Sequence, residues 1–198
     1  MQLIVASVTG KMERNNMPSS DPTTIPKVLQ LIKVLSPSSI LDIGAGNGRN
    51  GLLFREILDH NYGRLSPPYQ VVIDAIEVES RYITPVHEWI YDNIYTENWL
   101  EFEPKMRYDL VFMGDVLEHF KEWQRALMKA RRIANTTIVV APNWKGSGIQ
   151  GEWGGNKYES HEVELSPAML GGRCLYANSK CFICSFDSGL LENRNVLL

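Results

Sequence analysis

A short apolar run that stops on glycines and resumes as an amphipathic stretch constrains this chain more than any other feature. Ile40-Leu41-Asp42-Ile43 runs straight into Gly44-Ala45-Gly46-Asn47-Gly48, and Leu52, Leu53, Ile57 and Leu58 then recur at helical spacing. A run of that length predicts a strand, and 3.6-residue recurrence predicts a helix. Glycines between them allow a sharp turn and leave backbone N–H groups at the positive end of a helix, where a polar ligand can approach the main chain. The unit is the opening of a parallel α/β sheet.

The rest of the chain repeats the alternation. A helix is expected over Thr24 to Leu35, with Pro26 in its first turn, ended by Ser36-Pro37-Ser38-Ser39. Val71 to Ile76 reads as a second strand buried on both faces, ending at Glu77. Thr84-Pro85 to Asn93 reads as a helix with Thr84 as N-cap, followed by a short strand near Ile94-Tyr95-Thr96. Tyr108 to Met113 predicts a fourth strand, Leu117 to Ala134 a helix, and Thr136 to Ala141 a fifth strand. Residues 142–165 form a long glycine- and aromatic-rich loop, with Trp144, Trp153 and Tyr158 as candidates to line a substrate lid. A short helix at Ser166-Pro167 and a hairpin of Arg173 to Ala177 with Lys180 to Phe186 close one edge antiparallel. The expectation is one domain over 1–198, with 1–24 as an N-terminal extension.

The glycines fit two frames. Gly46-Asn47-Gly48-Arg49-Asn50-Gly51 fits the dinucleotide fingerprint G-x-G-x-x-G, while Asp42 to Gly48 fits D-x-G-x-G-x-G. The first frame wants an acid about 20 residues further on, and Glu77 lies beyond that. Asp42 beside the turn is more telling: a carboxylate repels a diphosphate and attracts a cationic cofactor. That favours S-adenosylmethionine, with its ammonium and sulfonium, over NAD.

On these residues the chain resembles the class I S-adenosylmethionine-dependent methyltransferases. Four matches in order carry the resemblance: Ile40 to Gly48; Ile76-Glu77-Val78; Tyr108 to Phe112 leading to Asp115-Val116-Leu117-Glu118-His119-Phe120; and Val139-Val140-Ala141-Pro142-Asn143. It implies a Rossmann-like fold, a seven-stranded, mostly parallel sheet with helices on both faces. It also implies Gly44, Gly46, Asn47 and Gly48 against the cofactor backbone, Asp42 near its methionyl end, Glu77 with Val78 at the ribose hydroxyls, and Glu97 or Asn98 near the adenine. Asp115 counts both as a cofactor neighbour and as a catalytic candidate.

Asp115, Glu118 and His119 follow the fourth strand, and the spacing turns them towards one side of a starting helix; His161 in the long loop is the fourth candidate. The set resembles two branches of the family: O-methyltransferases of the ubiquinone-biosynthesis type, and small-RNA terminal 2′-O-methyltransferases, where two acids and two histidines hold a divalent metal. Three readings stay open: a divalent cation that acidifies a substrate hydroxyl, a metal-free histidine base, and simple capping of the helix by the acids. Cys181-Phe182-Ile183-Cys184 has no second pair for zinc, and on a strand its cysteines face opposite sides. Lys129, Arg131 and Arg132 read as a solvated helix face.

Composition narrows the partners. With 20 basic and 23 acidic side chains the net charge is −3, which offers no general attraction to a phosphate backbone, so nucleic acid is not the expected partner. Three cysteines are too few for a disulfide framework and favour a reducing, cytoplasmic location. No apolar run reaches the roughly 20 residues of a membrane span. The expected activity is O-methylation of a small molecule, with a terminal RNA hydroxyl, a nicotinamide-dependent oxidoreductase and a cofactor-binding module without catalysis as rivals.

Overall fold

The computed structural model describes residues 21–143 and 156–187. Seven strands form one sheet in the order β3-β2-β1-β4-β5-β7-β6. They are β1 (Ser39–Ile43), β2 (Val72–Ile76), β3 (Asn93–Tyr95), β4 (Tyr108–Gly114), β5 (Ala134–Pro142), β6 (Arg173–Ala177) and β7 (Cys181–Asp187). The first five run parallel, and β7 enters antiparallel beside β5 with β6 outside it. The helices are α1 (Ile25–Leu35), α2 (Arg49–Leu58), α3 (His87–Ile90), α4 (Trp123–Ile133) and α5 (Pro167–Leu170). This is the Rossmann-like architecture expected from the sequence.

Strand alternation divides the core. Ile40, Ile73, Leu110, Phe112, Ile138 and Ile183 face α1, α2 and α3. Leu41, Val111, Met113, Val139, Phe182 and Cys184 face α4 and α5. Successive strand side chains point to opposite faces, so Asp42 falls on the α1–α3 face between Leu41 and Ile43. The same rule separates Cys184, in the α4–α5 core, from Cys181, as expected.

Two helices are shorter than their periodicity predicts. The stretch from Thr84 to Asn93 makes only one turn, α3, because the Asp92 N–H is taken by Ile73 O at 2.8 Å and Asn93 pairs with Asp74. From Leu117 the chain makes a 3-10 turn rather than the start of α4. Continuing the α-helix there requires the Glu118 carbonyl to accept from residue 122, but it accepts instead from the N–H groups of Glu162 and Val163 at 2.9 and 3.2 Å. Lys129 is also no member of a solvated face: its ammonium caps the carbonyls of Trp99 (2.9 Å) and Phe102.

Arg55 fixes α2 against the sheet. It is fully buried and its guanidinium donates to Asp59 (2.7 Å), Val71 O (2.6 Å), Ile90 O (2.7 Å) and Asp92 (3.1 Å) while lying over the Tyr69 ring. It thereby ties the end of α2 to the entry of β2 and the exit of α3. Removing one partner of a buried ion pair leaves an uncompensated charge at a cost of about 3–5 kcal/mol. Arg55→Met is therefore expected to lower unfolding stability by ~3 kcal/mol or more; a denaturant midpoint unchanged from wild type would contradict this role.

Candidate active site

In a doubly wound sheet, ligands bind outside the carboxyl ends of the strands where the order reverses; here that point lies between β1 and β4. A crevice opens there. Gly44, Gly46 and Asn47 line one side of it, Glu77, Val78, Glu97 and Asn98 the tips of β2 and β3, and Asp115, Glu118 and His119 the exit of β4. His161 and Tyr158 reach the same crevice from the segment before α5. Trp144 and Trp153 lie outside the described residues.

The glycine turn is pinned to β2. Gly44 N–H and Ala45 N–H donate to Ile76 O at 2.8 and 3.2 Å, and Gly46 N–H donates to Glu77 Oε2 at 2.7 Å. The other Glu77 oxygen accepts from Glu79 N–H at 2.8 Å. A carboxylate has about four acceptor positions, so each oxygen retains capacity towards the crevice. Burial raises the Glu77 carboxyl, and these two backbone donors oppose the rise. At Gly44, φ is +74° and an added Cβ would lie 2.5 Å from Val116 Cγ2, so a side chain there is excluded twice over.

Two residues of the glycine sequence do not form part of the crevice wall. Asp42 is buried on the far face, accepting from the Tyr91 hydroxyl at 2.7 Å, with no hydrogen bond at Oδ1 among the described residues. Gly48, at φ +79°, packs against α3: an added Cβ would meet Ile90 Cδ1 at 3.1 Å and His87 Nε2 at 3.3 Å. Nor does Asp42 cap α2, whose N-cap is Gly48.

Beyond β4, Asp115 sits at a positive φ of 47° with its N–H on Val140 O at 2.9 Å. Glu118 is buried, and neither Oε1 nor Oε2 meets a hydrogen-bond donor among the described residues. Burial first, and the neighbouring charge of Asp115 second, hold its carboxyl well above the usual range. Capping does not account for these acids, because α4 begins only at Trp123 after an N-cap Glu122. His119 Nδ1 lies 3.0 Å from Ser160 O; a carbonyl only accepts, so Nδ1 carries the hydrogen and Nε2 is the basic nitrogen. His161 stands edge-on to His119, 4.9 Å between ring centres. Ligand atoms of Glu118, His119 and His161 all fall within 4.8 Å of one another. Asp115 is not in that group. Burial lowers both histidines from their ordinary value, so both are neutral near pH 7.

Sequence reading missed the residues that hold the segment carrying His161. Tyr82 donates to Glu159 at 3.0 Å and accepts from the Asn156 amide at 3.0 Å. Tyr82 and Asn156 are buried, and no local spacing announces contacts 77 and 74 residues apart.

A family described as a methyltransferase domain matches residues 23–143, well over half of the chain. The chain belongs to this methyltransferase family. The enzyme's fold is shared by the N-methyltransferase NodS from Bradyrhizobium japonicum WM9 in complex with S-adenosyl-L-homocysteine, at 14% identity and a TM-score of 0.54 over 85% of this chain and 88% of that one. The N-terminal domain of EvdMO1 with S-adenosylhomocysteine bound matches at 15% identity and a TM-score of 0.55, over 84% of this chain and 80% of that one. DhpI, in its SAM–HEP complex, matches at 12% and 0.58, over 83% and 86%. No curated protein matches the methyltransferase in sequence. Family and fold agree with the D-x-G-x-G-x-G frame. No helix among its described residues is long and apolar enough to cross a membrane.

The Asp42 environment yields a stability prediction. Burial, partly offset by the Tyr91 hydrogen bond, pushes its carboxyl from 3.8 up to about 7. The folded chain therefore keeps a proton that the unfolded chain loses between pH ~4 and ~7, and stability declines as pH rises through that window. Asp42→Asn removes the loss and is expected to raise stability at pH 8 by up to ~4 kcal/mol, with the advantage vanishing near pH 4. Parallel pH profiles for the two proteins would show that Asp42 titrates normally.

Proposed function

We propose that this methyltransferase transfers a methyl group to a hydroxyl oxygen of a small molecule, with His119 as the base. The observation that carries the reading is the neutral, oriented His119 in the same crevice as the glycine turn and Glu77. S-adenosylmethionine supplies the methyl on a sulfonium, so that transfer is a direct displacement. Gly44, Gly46, Asn47, Glu77 and Val78 would hold the donor, with Glu97 and Asn98 beside its adenine and Asp115 next to the reacting end. A hydroxyl must lose its proton as it attacks, whereas displacement itself needs only alignment. His119 Nε2 is the acceptor for that proton, and its ring is held against rotation by the Ser160 carbonyl. Glu118, whose carboxyl burial raises, lies in the same crevice to face the acceptor molecule.

A second reading has its own observation. Glu118, whose carboxyl oxygens meet no hydrogen-bond donor among the described residues, brings one oxygen to within 4.8 Å of a nitrogen of each of two imidazoles, a donor set that fits a divalent ion such as Mn²⁺ or Zn²⁺ better than the oxygen-only preference of Mg²⁺. Such an ion would acidify a bound hydroxyl, the chemistry suited to a terminal RNA 2′-hydroxyl as well as to a small diol.

Calorimetry with S-adenosylmethionine is expected to give micromolar binding, and Glu77→Ala to weaken it at least tenfold by removing charge-assisted hydrogen bonds. NAD binding in its place would overturn the donor reading. In a screen of phenols, alcohols and amines, turnover is expected with hydroxyl acceptors and to fall about a hundredfold or more in His119→Gln; methylation confined to amines would sink the proposal. Persistence of turnover in EDTA favours the histidine base, and loss restored by Mn²⁺ favours the metal.

A further inference from the structure

His87 belongs to no motif of the sequence, yet it is fully buried beside the donor turn. Both of its nitrogens are engaged. The Thr84 N–H lies 3.1 Å from Nδ1, and the Thr84 hydroxyl lies 3.2 Å from the same atom. A backbone N–H can only donate, so Nδ1 is the unprotonated nitrogen and Nε2 carries the hydrogen. Nε2 is 3.0 Å from Gly46 O and donates to it.

Gly46 is therefore held on both sides, its N–H by Glu77 and its carbonyl by His87. Its φ of +55° is one that few other residues adopt. In a planar trans peptide the C=O and the following N–H point in opposite directions. Directing the Gly46 carbonyl at His87 thus turns the Asn47 N–H away from α3. The fit is close, since a Cβ at Gly48 would lie only 3.3 Å from Nε2 of the same ring.

We propose that His87 is a positioning residue for the methyl donor: its Nε2–H, by gripping the Gly46 carbonyl, presets the peptides of the glycine turn for binding. The inference rests on the donor reading given above. Thr84 fixes the tautomer, so the grip depends on a residue three positions upstream that never reaches the crevice.

The two nitrogens can be tested separately. His87→Asn keeps a polar group near Nδ1 for Thr84 but has no donor that reaches Gly46. His87→Gln places an amide near the position of Nε2 and keeps that donor. Titration of each with S-adenosylmethionine and S-adenosylhomocysteine, alongside the melting temperature without ligand, is expected to show about tenfold weaker binding for Asn and binding within about threefold of wild type for Gln. If His87 served only to hold Thr84 ahead of α3, the order would reverse and affinity would follow the melting temperature; that result, or equal affinities for wild type and Asn, overturns the proposal. His87→Met, which fills the space without either hydrogen bond, replaces Asn in the comparison if that variant does not fold. Failure of the wild type to bind S-adenosylmethionine would overturn the donor reading and this inference with it, whereas wild-type binding with no difference among variants overturns this inference alone.

Discussion

One hydrogen bond organises the glycine-turn side of the crevice: the 2.7 Å contact from the Gly46 amide to the Glu77 carboxylate. β1 and β2 are hydrogen-bonded neighbours over five paired positions, but the sheet ends where the crevice begins, and beyond it something else must hold the two tips in register. A carboxylate serves because its two oxygens accept from both sides, from Gly46 and from Glu79. Burial makes an ionised carboxylate costly, and the backbone donors offset part of that cost. Arg55 acts further back, fixing α2 and with it the direction in which the turn is delivered.

The side that carries His119 and His161 is assembled differently. The stretch from Asn156 to Val163 belongs to none of the seven strands; it is tied at one end to Tyr82 and at the other to Glu118 O and the His119 ring. The same bonds that dock this stretch cut short the start of α4. The loss of helix there and the meeting of His119 with His161 are thus one event. Tyr82 follows Glu77 by five residues, so the stretch that carries His161 is anchored close to the glycine turn as well.

Much of this was legible in the sequence because the governing patterns are local. β1, its glycine turn and α2 follow from composition over some twenty residues, and the hairpin of β6 and β7 follows from two apolar runs around Asn178-Ser179. The seven strands were readable as apolar runs, while their assembly into one mostly parallel sheet came from the family resemblance. What stayed hidden depends on partners distant in sequence. Asp42 seemed a donor-side acid because it adjoins the glycines, yet the two-residue alternation of β1 turns it to the other face, where Tyr91 meets it. Periodicity over 84–93 indicated a long helix and could not anticipate that Asp92 and Asn93 would be drawn into pairing with β2. His87 and Tyr82 carried no signal at all, since their value lies wholly in contacts 41 and 77 residues away.

Those separations bear on how the protein folds. Gly46 and Glu77 are 31 residues apart, and His119 and the Ser160 carbonyl 41. Each such contact closes a loop whose entropy is lost before the contact returns anything, and parallel strands delay it further because a crossover must form first. The helices and β-hairpin can form early, while the crevice waits for the order β2-β1-β4 to be complete. Assembly of the crevice is accordingly a late marker of folding in this chain: a collapsed intermediate with full helical content would still lack it.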